Sequence, residues 1–264
     1  KSHLGLYGDV VHEIDWSVGE VLSAVKRNGI EHNTLVFFTG DHGPWYQGST
    51  GLLRGRKGTT YEGGLRIPMI ARLPGALPQG RTTDALASHL DMLPTLTNLC
   101  GGSLPQEALD GTDIWPLLTC EQQAVERKAL LSFSGWHLEC ARSKQWKLHV
   151  TRSNMPSFLP PPKNGRIQFF LRNPELYNLA DDPKESYDVA AEYPEVIAEI
   201  QKSLAEQLAT LPDRVKQVYS RAQQHLTNPW MPPDAYSAET EDAAPGRRDW
   251  LSGSDAERVL QMFK

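Results

Sequence analysis

The sequence has no run of apolar residues long enough to cross a membrane as a helix, which takes about 18 residues. It holds only three cysteines, Cys100, Cys120 and Cys140. That is too few for a disulfide scaffold, and none has the CxxC spacing of a zinc site. The odd count leaves at least one unpaired within the chain. There is no surplus of positive charge: Lys plus Arg is 27 against 32 for Asp plus Glu, a net −5. A nucleic-acid binder, which would carry a basic face, is therefore not expected. No serine sits in a GxSxG elbow, which removes support for a serine esterase. No Asn-x-Ser/Thr sequon occurs either. The first residue is Lys1 rather than Met, and no signal-peptide pattern precedes the first helical pattern. The expectation is a piece of a longer protein.

What is present is globular. Of the 264 residues, 39% are hydrophobic and 22% charged, a balance that can bury a core. At roughly 100–200 residues per domain the length suits one large domain or two smaller ones. Val10, Val11, Ile14, Val18, Val21, Leu22 and Val25 recur every three or four residues, the apolar face of a helix over about 7–27 that stops at Asn28-Gly29. Thr34 to Thr39 is a short apolar, β-branched and aromatic run. It reads as a strand buried on both faces in a mostly parallel sheet, so the grammar is α/β. Residues 68–74 read as a second strand. Residues 88–100 read as a helix with Leu90, Leu93, Leu96, Thr97 and Leu99 on one face, and 110–118 as a turn with a short helical piece.

From about Ala129 the grammar changes. Segments 130–133, 139–142, 146–150, 169–171 and 175–179 read as short sequential strands of a small antiparallel sheet. A helix over 193–211 carries Val196, Ile197, Ile200, Leu204 and Leu208 on one face. The expected organisation is a first unit over 1–128, a small sheet with its helix over 129–227, and an irregular tail over 228–264.

Asp41-His42 is the sharpest local chemical feature. It follows the first strand directly, where open α/β sheets place ligand crevices, and offers a carboxylate and an imidazole to one cation or reacting group. Gly40 and Gly43 would let the backbone turn so that both side chains share a site. The alternative is an Asp that caps a turn beside an ordinary surface histidine. Downstream lies a glycine-containing loop, 45–64, with no clear period. Within it Arg54, Arg56 and Lys57 put three cations in four residues, suited to an oxyanion or simply a solvated basic loop. It lacks P-loop spacing, which argues against nucleotide binding. Asp91 reads as a first-turn carboxylate, Trp136 and Trp146 as core aromatics, and His3 and His12 as surface residues.

The ordered run Thr39-Gly40-Asp41-His42-Gly43-Pro44, followed by 51–68 with Lys57-Gly58-Thr59-Thr60-Tyr61-Glu62-Gly63-Gly64, resembles the sulfatase family. The arylsulfatase A and N-acetylgalactosamine-6-sulfatase branch is nearest. Segments 5–9, 15–19, 91–95, 110–111, 146–148 and 175–179 add to the likeness, which spans about 4–210. The resemblance implies an alkaline-phosphatase-like α/β fold: the C-terminal part of a mixed sheet with helices, plus a small antiparallel sheet packed with a helix.

It also implies a sulfuric ester hydrolase that uses one divalent cation, calcium, and a formylglycine made from the Cys or Ser of a Cys/Ser-x-Pro-x-Arg motif. Asp41 would be a calcium ligand and His42 would take the adjacent ligand position. His42 is the weaker fit, because a hard cation prefers oxygen donors. Lys57 would be catalytic and substrate-binding, holding the sulfate and the charge that develops on the leaving oxygen. None of Cys100, Cys120 or Cys140 begins a formylglycine motif. The nucleophile and the remaining metal ligands are thus expected before Lys1, and this chain alone is expected to be inactive. The partner implied is a sulfate ester, homo-oligomerisation stays open, and the compartment implied is secreted, periplasmic or lysosomal. A phosphoester or phosphonate hydrolase of the same superfold and a non-catalytic sulfatase-like binding protein are the alternatives.

Overall fold

A computed structural model describes residues 2–153 and 168–227; the anticipated tail over 228–264 lies outside these. Helix α1, Gly5–Arg27, leads into strand β1, Val36–Thr39. As the periodicity predicts, α1 closes at Asn28, and Gly29 beyond it takes a positive φ of 67°. After the long loop come the short helix α2, Glu62–Leu65, and strand β2, Met69–Arg72. Helices α3, Met92–Leu99, and α4, Trp115–Leu118, complete the first part. The anticipated first-turn role of Asp91 holds. Its carboxylate accepts from Ser88 N in a capping box, from Thr112 N, and from both terminal nitrogens of Arg127.

Two expectations about this part are corrected. Strand β1 pairs with β2 antiparallel in a two-stranded sheet, and Phe38 and Thr39 are exposed, so the strand is not buried on both faces. An apolar run reports hydrophobicity, whereas strand direction is set by the connection, and burial by what lies above and below. Likewise the apolar stripe of α3 faces outward. Leu90, Leu93, Leu96 and Leu99 are exposed, and Pro94 and Thr95 are the buried residues. Thr95 is a built-in polar contact: its hydroxyl donates to Asp91 O and accepts from Ile114 N.

The second part is a four-stranded antiparallel sheet in the order β3-β4-β5-β6. Its strands are β3, Leu130–Ser134; β4, His137–Ser143; β5, Trp146–Ser153; and β6, Gln168–Asn178. The segments read as two strands over 169–171 and 175–179 are thus one continuous strand. Ala141, Leu148 and Leu176 stand side by side across β4, β5 and β6. They face helix α5, Pro194–Thr210, and helix α6, Asp213–Thr227, in a core shared with Ile200, Leu204 and Tyr219. Trp146 packs at the edge of that core, its ring tilted 49° against that of Tyr193 at a centroid distance of 4.7 Å.

Alternation sends the intervening residues Cys140, Arg142, Lys147, His149, Glu175 and Tyr177 to the opposite face. At Glu139 the ladder slips: Ser132 pairs Cys140 while Phe133 pairs Leu138, leaving Glu139 as the extra residue of a bulge. Helix α6 went unread in the sequence, although Val215, Val218, Tyr219 and Ala222 have the spacing of a helix face.

Candidate active-site turn and its supporting loop

Strand β1 delivers the chain to the turn at Asp41-His42-Gly43-Pro44. Two backbone bonds fix this turn against the loop that carries Lys57: Gly43 N donates to Gly64 O at 2.8 Å, and Lys57 N donates to Pro44 O at 3.1 Å. The glycine requirement differs from the expected one. Gly40 and Gly43 both avoid positive φ, so neither is there for a left-handed turn. A Cβ on Gly43 would lie 1.9 Å from Gly63 O, so it is the close approach of two backbones that only glycine permits. Beside Lys57, by contrast, Gly58 does adopt φ +83°, a conformation side chains resist.

The structure brings Asp41, His42 and Lys57 together at this turn. Asp41 is 84% exposed at its side chain. Its carboxyl is held below the usual carboxylate range, first by hydrogen bonding to its own backbone N–H, with the neighbouring charges of His42 and Lys57 acting in the same direction. The three cations of the basic loop then separate by role. Arg54 donates to Glu185 O and lies over the Tyr61 ring, 4.2 Å from its centroid. Arg56 donates to Trp45 O and Gly48 O at 3.0 and 2.8 Å. Both arginines are scaffold. The Lys57 ammonium makes no hydrogen bond or ion pair among the described residues.

His42 Nδ1 lies 2.9 Å from Gly43 O. A carbonyl only accepts, so Nδ1 carries the proton in this contact. Its Nε2 then faces Asp41 Oδ2 at 3.0 Å. A neutral ring would aim a lone pair at the carboxylate, so the pair is either an imidazolium–carboxylate contact or two donors facing one shared cation. The donor set therefore fits part of a hard-cation site, with the carboxylate the stronger donor. It is only part: no group of three or more His, Cys, Asp or Glu converges on a metal position among the described residues. A cleft of about 460 Å³ opens beside His42, lined also by Tyr7, Pro44, Thr50 and Arg66.

The support beneath this turn was only partly legible in sequence. Glu62 opens α2 and is 1% exposed. Its two oxygens accept from Arg142 Nη1 at 2.8 Å and Lys147 Nζ at 3.0 Å. Glu185 Oε2 accepts from Glu62 N at 2.6 Å, and Glu185 Oε1 meets both Lys147 Nζ, at 3.1 Å, and His149 Nε2, at 2.8 Å. Burial works against the Glu185 carboxylate, but the hydrogen bond from His149 and the charge of Lys147 outweigh it and hold its pKa low. Burial in turn pushes His149 down, so the ring stays neutral and donates through Nε2. Thr60 closes the seam: its hydroxyl donates to the bulged Glu139, and its carbonyl faces the Cys140 thiol. All three cysteines are free, and burial pushes the Cys140 thiol up to about 11, away from reactivity. Glu62 stands inside the motif that carries the resemblance. Lys147, His149 and Glu185 gave a weaker signal, since a charged residue inside an apolar strand marks burial with a partner without naming that partner.

Comparison with known proteins agrees with this geometry. A family model described as Sulfatase matches residues 1–102, and one described as C-terminal region of aryl-sulfatase matches residues 125–240. The chain is 34% identical to arylsulfatase D of Homo sapiens over 88% of its own length and 44% of that protein. It is 38% identical to arylsulfatase A of Bos taurus over 74% of its length and 41% of that protein. Among solved structures it superposes on the PsFucS1 sulfatase from Pseudoalteromonas sp. with a TM-score of 0.67, at 28% identity, covering 76% of this chain and 42% of that one. It thus spans less than half the length of the relatives it matches. Motif, fold and both matched regions agree: the chain belongs to the sulfatase family and has its alkaline-phosphatase-like fold.

Proposed function

We propose that these residues form part of the active site of a sulfuric ester hydrolase of the arylsulfatase type, completed by sequence that the matched relatives carry beyond the aligned part. Asp41 would hold a calcium ion, with His42 as an adjacent, weaker donor. When bound, the calcium ion and an upstream formylglycine would supply charge neutralisation and the nucleophile. Lys57 would bind a sulfate oxygen and offset the negative charge that grows on the leaving oxygen, an interaction strongest in the transition state. A compact ammonium suits one oxygen, where an arginine would present a planar fork.

One observation carries this reading. Of three clustered cations, Arg54 and Arg56 are committed to backbone carbonyls, while the Lys57 ammonium is uncommitted among the described residues and close enough to Asp41 for its charge to be felt there. The reading carries with it a sulfate ester as substrate, a secreted, periplasmic or lysosomal compartment, and a division of labour between residues 1–128 and 129–227.

The test is Lys57→Ala in the complete protein, assayed on an aryl sulfate. Loss of a charged donor to a developing oxyanion costs about 10²–10³ in turnover, so kcat should fall by at least that factor with Tm unchanged. Near-normal kcat, or loss only through unfolding, refutes the assignment.

A further inference from the structure

The buried charges beneath the turn have no part in the chemistry just proposed, yet they are too costly to be incidental. Lys147, Glu62 and Glu185 are each at most 1% exposed, and Arg142 joins them from the rim. Two cations face two carboxylates, so the charge balances, and every carboxylate oxygen has a donor. Adhesion of the sheet does not require this. Its other face already buries Ala141, Leu148 and Leu176 against α5 and α6, and an apolar patch of similar volume would bind the loop as well or better. What a fully paired ionic cluster adds is direction, because charged donors and acceptors tolerate one arrangement where apolar surfaces tolerate many.

We propose that Lys147, with Glu62 and Glu185, is a positioning device: it locks α2 to the small sheet and thereby sets the spacing between the Asp41-His42 turn and Lys57. The path is contiguous. Lys147 and Arg142 hold the Glu62 side chain, and Glu185 holds its backbone N–H. The next residue, Gly63, donates to Arg54 O at 2.7 Å, fixing the start of the cationic loop. Gly64 accepts from Gly43 N, and Lys57 N donates to Pro44 O, closing the circuit at the turn. No slack is available at the crossing, where a single added methyl on Gly43 would overlap Gly63 O. A shift of α2 therefore moves the turn and Lys57 relative to each other. Lys147 touches no reacting atom and acts only through the groups it positions.

The kinetic arm rests on the sulfatase reading above, and the exchange arm does not. In the complete protein, Lys147→Met keeps side-chain length and removes the charge. A misplacement of about 1 Å can cost about 10²-fold, so kcat on an aryl sulfate should fall at least about tenfold with KM within about twofold. Amide exchange at Gly43, Lys57 and Gly64 should accelerate at least about tenfold, while the amides of Leu148 and Leu176 keep their protection.

Adding Glu62→Gln removes the carboxylate left short of a partner, so the pair of substitutions separates position from stability. Recovered Tm with kcat still low supports positioning; recovery of both together overturns it, as does unchanged exchange in folded Lys147→Met. Should that variant fail to fold, Arg142→Met at the rim replaces it, with an expected loss of about threefold in kcat and faster exchange at Gly43; no change in either overturns the proposal. If the unaltered protein turns over no aryl sulfate, the activity reading fails and the exchange arm alone decides the coupling.

Discussion

The two parts of the chain carry similar amounts of apolar patterning and bury it very differently. In the small sheet, Leu138, Leu148, Val150 and Leu176 are at most 1% exposed. In α1, whose periodicity is just as regular, no residue is buried, and Val10, Val11 and Ile14 are each close to half exposed. The outward stripe of α3 and the exposed Phe38 and Ile70 of the β1–β2 pair follow α1. The small sheet meets its cover within the chain, in α5 and α6. The first part shows its apolar faces uncovered among the described residues, while its polar contacts, at Asp91, Thr95 and Glu62, are fully paired. The Asp91, Thr95 and Glu62 side chains find partners locally or on the small sheet, whereas the apolar faces of α1 and α3 stay exposed among the described residues.

This contrast can be broken by measurement. The largest stability effect is expected from Leu148→Ala, at the centre of the buried face, where cavity formation costs about 2–5 kcal/mol; chemical denaturation of the chain would read it. A loss under about 1 kcal/mol would mean the sheet is not the stable core.

An intermediate effect is expected from pH, and the small sheet again carries it. Burial lowers His137 from 6.5 to about 4, and burial lowers His149 in the same direction. In the unfolded chain both recover the ordinary value, so below pH 6.5 the unfolded state takes protons first. Stability contributed by the neutral rings is therefore present above that pH and is lost as pH falls toward 4. Glu185, held low by its partners, extends the loss further into acid. Tm should decline steadily across this window, and His137→Phe should make the decline shallower; a flat profile, or one unaffected by the substitution, contradicts the burial argument.

The smallest effect is expected from Ile14→Asn on the open face of α1. In the 264-residue chain it should change unfolding free energy by no more than about 0.5 kcal/mol. A cost above about 1 kcal/mol would erase the difference between the regions.

The sequence by itself determined a good deal. Helical periodicity located α1, α3 and α5, with the stop of α1 at Asn28-Gly29. The run from Thr39 to Pro68 carried the family and the candidate residues Asp41, His42 and Lys57. Local signals suffice there because helix formation, turn chemistry and a compact motif depend on neighbours in the chain.

Tertiary structure alone decided four other matters: the antiparallel pairing of β1 with β2, the outward face of α3, the commitment of Arg54 and Arg56 to carbonyls while Lys57 stays open among the described residues, and the meeting of Glu62 with Lys147 and Glu185. These last residues are separated by 85 and 123 positions. No local pattern encodes such a meeting, since a charge in an apolar strand shows only that compensation must exist. Which partner supplies it, and what apolar surface finds cover, are settled by packing, where the desolvation of each group is weighed against the one arrangement that pairs it.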